Sequence, residues 1–398
     1  MRRFIEKSVE KVLMASGAIT SLTILLIVVF LFRQGAGLFR NSVVEENYSL
    51  AVNKTNPVEK LTPEEIKNIF DREIVNWAQV GGLNEDISVF RLNDITSYVS
   101  EEALGEEMQF LSHHLSEIVD THPHIIAFIP NEYIRKDFKG KVLDVGKITP
   151  SDFFAGKEWF PTAQPAPLFG LLPLLLGTLW VSFAAILFAL PFGLAVAIYL
   201  AELASTRTRA VLKPVIELLA GIPSVIYGFF GLVVVVPLIQ KTFDLPVGET
   251  ALAGSVILAV MAMPTIITIA EDAIRTVPRA TKEASLALGA SQMQTIFKVI
   301  LPYCVSGIMA AVVLGIGRAV GETMAVLMVT GNSAIIPTTL LEPVRTIPAT
   351  IAAELGEAPT GGAHYEALFM LGVILFLITL FISILIEIIS AKQIKQQQ

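Results

Sequence analysis

Two ionisable residues stand where water is scarce. Arg318 and Glu322 lie inside an apolar run near 305–329, in the stretch Gly317-Arg318-Ala319-Val320-Gly321-Glu322-Thr323. A charge near a bilayer centre costs at least ~2.5–3.5 kcal/mol on insertion scales, so such residues face a bundle interior or a watery path. Their spacing of four puts both on one helical face. Two chemistries follow. One is a buried ion pair locking helix to helix, with Gly315, Gly317 and Gly321 permitting close packing. In the other, Arg318 offers a planar fork of donors to an oxyanion and keeps its charge at any physiological pH. Glu322 then holds the guanidinium, and Arg318, Glu322 and Thr323 form a candidate translocation path. Neither chemistry has a covalent step, so no catalytic residue is assigned.

A second constellation lies between apolar runs. Glu283-Ala284-Ser285 is followed by Gly289 and, nine residues on, by Val299-Ile300-Leu301-Pro302. Residues 279–288 are helix-forming in composition, and Gly289 permits a left-handed turn. Ser291 to Val299 can form a second helix before Pro302. The spacing predicts a helical hairpin with Glu283 placed for a charge contact. A phosphate-cradling G-x4-G-K-[ST] loop is absent: the nearest approach, Gly140 to Gly146-Lys147-Ile148, has one residue too many and no hydroxyl. His113, His114, His122 and His124 match no zinc spacing and read as solvated surface histidines, so no metal ligand is assigned.

The elements that position these groups are membrane spans. The mean hydropathy is +0.65, with 53% hydrophobic and 16% charged residues, which excludes an ordinary soluble domain. Apolar runs of about 20 residues or more fall near 13–32, 171–199, 215–239, 251–270, 305–329 and 366–390. Glu217 opens the third of these, and Pro191 predicts a kink in the second. Lys and Arg cluster in the N-terminus, around 207–213, around 275–298 and in the tail, whereas the two short opposite loops carry only Lys241 and Arg345. The positive-inside asymmetry places both termini and the 275–302 loop in the cytoplasm. The first run reads as an uncleaved signal anchor. The single cysteine, Cys304, reads as an apolar packing residue.

Residues 41–160 break the hydrophobic pattern. They hold 21 of the chain's 36 acidic residues but only 11 of its 29 Lys and Arg. Thr62-Pro63-Glu64-Glu65 is a capping box with Pro at the first helical position. Ile87, Val89 and Arg91 alternate as a strand, and 125–129 reads as a buried one. A small α+β domain is expected. Leu61-Thr62, Ile69-Phe70, Ile74, Asn76-Trp77 and Val80-Gly81-Gly82 resemble a segment of periplasmic phosphate-binding proteins. After the strand that family has an arginine followed by Ser-Gly-Thr, which cradles the anion. Here Arg91 is followed by Leu92-Asn93-Asp94, so the insert is expected to have lost the ligand site and to act in docking or gating.

The 283–302 stretch resembles the EAA loop, E-A-A-x3-G-x9-I-x-L-P, through which ABC importer permeases grip their ATPase. Ser285 replaces the usual second alanine. Further words resemble the PstC-type permeases of phosphate importers: Phe154-x-Gly156-x-x-Trp159-x-Pro161, Leu172-Pro173-Leu174-Leu175-x-Gly177-Thr178-Leu179, Ala197-Ile198-Tyr199-Leu200-Ala201-Glu202, Gly221-Ile222-Pro223-Ser224-Val225-x-Tyr227-Gly228 and Gly317-Arg318-Ala319-x-Gly321-Glu322-Thr323-Met324-Ala325-Val326. The resemblance implies an all-α integral membrane protein of six transmembrane helices with a type I ABC importer permease fold. Its division is 1–40 (N-terminus and first helix), 41–160 (α+β extracytoplasmic insert) and 161–398 (five-helix core with the coupling loop 275–302). Glu283, Ala284, Ser285, Gly289, Leu301 and Pro302 would contact the ATPase. The implied partners are a sister permease of PstA type, two copies of an ATP-binding subunit, an extracytoplasmic phosphate-binding protein and membrane lipid, with no nucleic acid. ATP and Mg belong to the ATPase, and this chain carries no cofactor. The implied place is the inner or plasma membrane of a prokaryote. Import of another oxyanion or small solute is the alternative substrate reading, and a phosphate-sensing scaffold is the alternative of another class.

Overall fold

The structure is a computed structural model that describes residues 2–105 and 108–396. Two compact units divide the chain: Met1–Leu171 with Ala358–Met370, and Leu172–Glu357 with Leu371–Gln398.

The first unit opens on helix α1 (Arg2–Gly37), whose apolar stretch carries no buried residue until Gly35. Its end packs on the start of the last helix, where Phe30 and Phe369 meet edge to face at 5.5 Å and Asn41 donates to Glu366 Oε2 at 2.5 Å. Next come β1 (Tyr48–Val52), α2 (Pro63–Phe70), β2 (Ser88–Arg91), α3 (Leu111–Thr121), β3 (Ile125–Pro130) and β4 (Lys141–Val142). The sheet order is β2-β3-β1-β4, with β2 parallel to β3 and the other pairs antiparallel. Strand β3 is buried on both faces, and its period of two sorts the core. Ile125, Ala127 and Ile129 meet Leu111, Leu115, Ile118 and Val119 of α3. On the other face Phe128 stacks on Tyr48 at 4.4 Å and meets Phe70 of α2 edge on. The predicted capping box starts α2: Glu65 N–H donates to Thr62 Oγ1 at 3.3 Å, and Thr62 N–H donates to Glu65 Oε2 at 2.8 Å. The α+β reading of this segment agrees with the structure.

The second unit is helical. Helix α4 (Leu172–Ile198) runs on as a π segment to Leu203, followed by α5 (Thr206–Ala220), α6 (Ser224–Phe230) within the apolar stretch Ser224–Phe243, and α7 (Ala251–Arg275). Helix α7 is the centre, and small residues let its neighbours approach: Ala185, Ala189, Ala259, Ala262, Ala311 and Gly315 are all buried. Then come α8 (Arg279–Ala287), α9 (Gln292–Thr295, continuing to Tyr303), α10 (Val305–Gly321), α11 (Met324–Val329), α12 (Ile347–Glu354) and α13 (Ala363–Gln396), which crosses from the first unit into the second. Among the described residues five helices are long and apolar enough to cross a membrane. They become six when the bent pair Gln292–Tyr303 and Val305–Gly321 counts as one span.

Two expected spans are corrected. The third begins at Ser224, not near 215, because Gly221-Ile222-Pro223 ends α5 and proline disfavours helix in the residue before it. Glu217 therefore sits exposed on α5, an amphipathic helix with no buried residue. The fifth is not one continuous rod. A 72° bend at Cys304 sets it off from Gln292–Tyr303 before it, and helix stops at Gly321, where Glu322 is extended (φ −70°, ψ 132°).

Candidate functional site

The loop between α7 and α10 forms the helical hairpin its spacing predicts. Helix α8 has no buried residue, and Arg279, Ala280, Glu283, Ala284, Leu286 and Ala287 are exposed. It turns at Gly289, whose φ of +86° lies in the left-handed region. Ser291 then caps α9, with its hydroxyl accepting from Gln294 N–H at 3.3 Å and Gln294 Oε1 accepting from Ser291 N–H at 2.8 Å. Ser285 has a task that alanine could not perform: its hydroxyl lies 2.9 Å from that of the buried Thr295 and ties the two helices together. Glu283 and Ala284 are exposed, and among the described residues Glu283 has no ion-pair partner. Leu288 at the tip is 90% exposed, with Met293 and Phe297 beside it in sequence also exposed. Thr281, Ala284, Ser285, Leu288, Ala290 and Gln294 line a hollow of about 460 Å³. Leu301 packs against the cluster of Ala270, Ile274 and Ile300, and Pro302 stands just before the bend.

Sequence reading missed what anchors this hairpin. Lys282 of α8 pairs with Glu202 at the end of the α4 π segment, and Gln292 Nε2 donates to the Glu202 carbonyl at 3.3 Å. The π turn that ends α4 is thus fixed to both arms. A second anchor ties α5 to α7. The Glu271 carboxylate is 1% exposed and meets Arg209 at 2.5 Å, Lys213 at 3.2 Å and Arg275 at 3.7 Å. Burial works against the Lys213 ammonium, but hydrogen bonds and charge from Glu271 and Asp272 outweigh it and raise its pKa. Apart from Arg275, one turn from Glu271 on the same helix, no local pattern could have found these contacts, since the partners lie about 60 to 80 residues apart in sequence. The signal available was only the presence of acidic residues at the ends of apolar runs.

Arg318, Glu322 and Thr323 fall at the end of α10. Arg318 is half-buried and reaches α7, where Nη1 donates to Thr265 Oγ1 at 3.3 Å. The expected helical pairing with Glu322 does not form: among the described residues no ion pair joins them. The cause is the break after Gly321, which swings Glu322 off the helical face, so that its Oε1 accepts from Ala325 N–H at 3.5 Å at the start of α11. Thr323 Oγ1 donates to the Gly321 carbonyl at 3.2 Å. Thr323 and Gly321 line a hollow of about 530 Å³ with Pro348, Ile351 and Leu355, which neither Arg318 nor Glu322 reaches. Ser306, Ala310, Leu314, Gly317 and Gly321 are exposed at helical spacing, so one face of α10 is open beside Arg318. At Gly317 and Gly321 a Cβ would meet no atom within 4 Å.

In the first unit, Arg91 caps nothing external. Its N–H donates to the Asp94 carboxylate at 2.8 Å, and its guanidinium lies 5.5 Å from the centre of the Phe70 ring. An internal carboxylate thus occupies this backbone amide.

Comparison with known proteins follows the same division. Residues 189–395 match the family described as binding-protein-dependent transport system inner membrane component, and 30–157 match a PBP superfamily domain. The protein named Probable ABC transporter permease protein YqgH of Bacillus subtilis is 39% identical over 249 residues, covering 63% of this chain and 80% of the relative. The phosphate transport system permease protein PstC of Mesorhizobium japonicum is 39% identical over 58% of this chain and 75% of its own length. PstC of Pasteurella multocida is 37% identical over 57% and 75%. Among solved structures, the MetNI methionine ABC transporter in an inward-facing conformation matches 56% of this chain and 95% of its own at a TM-score of 0.45 and 22% identity. A phosphate transport receptor from Vibrio cholerae matches 28% of this chain at a TM-score of 0.20 and 19% identity.

Proposed function

We propose that this chain, which belongs to the family of binding-protein-dependent transport system inner membrane components and is a membrane permease subunit of an ABC importer, carries phosphate. The observation that carries the reading is Arg318: a permanent cation inside an apolar helix, held by one neutral hydroxyl and bordered by an open face. A guanidinium not neutralised by a carboxylate keeps its donors for a passing oxyanion. Its 3.3 Å bond to Thr265 lets it exchange partners as the anion moves. The phosphate assignment draws on the PstC names of the relatives, and Arg318 supplies the chemistry.

The hairpin couples that path to ATP. Hydrolysis belongs to a separate ATP-binding subunit, present in two copies, which carries the nucleotide and Mg. Its cleft receives α8 and the Leu288 tip, with Glu283 as the charged contact. Movement of the hairpin passes through Lys282 to Glu202 and so into α4. The open face of α10 meets a sister permease, and an extracytoplasmic binding protein delivers the anion. Both termini and the hairpin lie in the cytoplasm, and the domains run 1–40, 41–160 and 161–398. The insert has traded its anion site for the Asp94 contact and serves docking or gating.

Proteoliposomes holding the chain with sister permease, ATP-binding subunit and binding protein test this reading. Labelled phosphate should enter only with ATP inside the coupled assembly, and excess sulfate should leave the rate unchanged. Sulfate entering in place of phosphate would refute the substrate while leaving the family intact.

A further inference from the structure

We infer that His113, His114 and Glu117 of the insert form a surface site for a borderline divalent cation of the zinc type. The three residues lie on α3 at positions i, i+1 and i+4, and one donor atom from each falls within 4.8 Å of the others. His114 Nδ1 is 3.7 Å from Glu117 Oε2, and His113 Nδ1 is 3.9 Å from the same oxygen. Tetrahedral zinc with bonds of about 2.0–2.1 Å sets its ligand atoms roughly 3.3 Å apart. Small side-chain rotations close that difference, and Glu117 and His113 are free to make them, with 54% and 73% of their side chains exposed.

The decisive contact is on the far side of the His114 ring. His114 Nε2 lies 3.1 Å from the Ala103 carbonyl oxygen. A carbonyl only accepts, so Nε2 carries the proton and, in the neutral ring, Nδ1 presents a bare lone pair. Nδ1 lies 3.7 Å from a Glu117 carboxylate oxygen, another acceptor. A cation between the two acceptors, either a metal ion or the proton of an imidazolium, satisfies both. A ring nitrogen bonded to a backbone carbonyl while its partner nitrogen is free is also how metal-binding histidines are oriented. The scaffold is firm, because the opposite face of α3 buries Leu111, Leu115, Ile118 and Val119. Lys139, which lines the neighbouring hollow with His113 and Glu117, is held on Asp120 at 3.7 Å and does not fill the role.

Two imidazoles and one carboxylate suit zinc, nickel or copper rather than calcium or magnesium, which prefer all-oxygen shells. Three protein ligands leave a fourth position open to water or an incoming group.

The test is zinc titration of the full-length chain in detergent, free of any polyhistidine tag, against a chromophoric chelator near neutral pH. Native protein should take up one zinc per chain. His113→Ala and Glu117→Gln should each weaken binding at least about tenfold, and His124→Gln should leave it unchanged. Cobalt should give the strong visible absorption of a tetrahedral site in native protein and lose it when His113→Ala and Glu117→Gln are combined. The inference is overturned if native protein takes up no zinc, if the His113 and Glu117 variants bind as native does, or if His124→Gln removes binding.

Discussion

Lys282→Met should uncouple transport from ATP. The Lys282 and Glu202 side chains are 21% and 12% exposed, so the pair is screened by little water. A hydrogen bond to a charged group contributes about 1.5–3 kcal/mol. Methionine keeps the length and apolar stem of lysine but leaves the Glu202 carboxylate unpaired. The Gln292 contact to the Glu202 carbonyl survives, so the hairpin loosens without detaching. At about 1.4 kcal/mol per factor of ten, the fraction of hairpin fixed to α4 falls roughly 10- to 100-fold relative to the loosened form. The assay is labelled phosphate imported per ATP hydrolysed in proteoliposomes. Uptake should fall at least about fivefold while ATP hydrolysis changes less, and Lys282→Glu combined with Glu202→Lys should recover much of it. Native phosphate-to-ATP stoichiometry in Lys282→Met would refute the argument, because the hairpin would then transmit force without this contact.

Other expectations follow from single contacts. Glu271→Gln removes the buried carboxylate facing Arg209, Lys213 and Arg275; since these cations are 24%, 26% and 46% exposed, the loss is nearer about 2 kcal/mol than the usual 3–5. Thermal unfolding in detergent should show a lower midpoint, and an unchanged one would contradict the contact. The raised pKa of Lys213 means its stabilisation is fully present below the ordinary lysine value near ~10.4 and is lost only as pH rises through the higher folded value. The gap between native and Glu271→Gln midpoints should therefore stay flat from pH ~7 to ~9 and narrow above ~10.5; a gap closing near neutrality would count against it. Gly289→Val strains a left-handed residue by about 1–2 kcal/mol without a clash, whereas asparagine tolerates that conformation. Coupled uptake should drop several-fold for valine and stay near native for asparagine, and equal behaviour of the two would argue against the turn. Phosphate titrated onto the insert in the full chain, by calorimetry without binding protein, should give no heat beyond that seen with Arg91→Ala.

What was legible in the sequence was local. The Thr62 cap, the alternation along Ile125–Pro130 and the Gly289 turn each depend on a few consecutive residues, and each has the conformation those residues dictate. The spans were legible in number but not in shape. Composition cannot show that Pro223 delays the third span or that Gly321 ends a helix that stays apolar to Val329. Arg318 was visible as a charge out of place, yet its contact is Thr265 on another helix, 53 residues away. Glu202 with Lys282 and Glu271 with Arg209 are invisible for the same reason. Each half of such a pair is an ordinary charged residue until the fold joins them. Ser285 is the instructive middle case: it read as a conservative replacement and proved to be a tie to Thr295.

On this reading phosphate passes Arg318 on its way through the subunit. Uptake of labelled phosphate by the reconstituted assembly, with Arg318→Gln compared to native and ATP hydrolysis measured on the same vesicles, tests it most directly. Uptake should fall about 10-fold or more, the worth of one charge-assisted contact, with assembly and hydrolysis retained. Native-rate uptake in Arg318→Gln would contradict it and leave Arg318 a strut between α10 and α7.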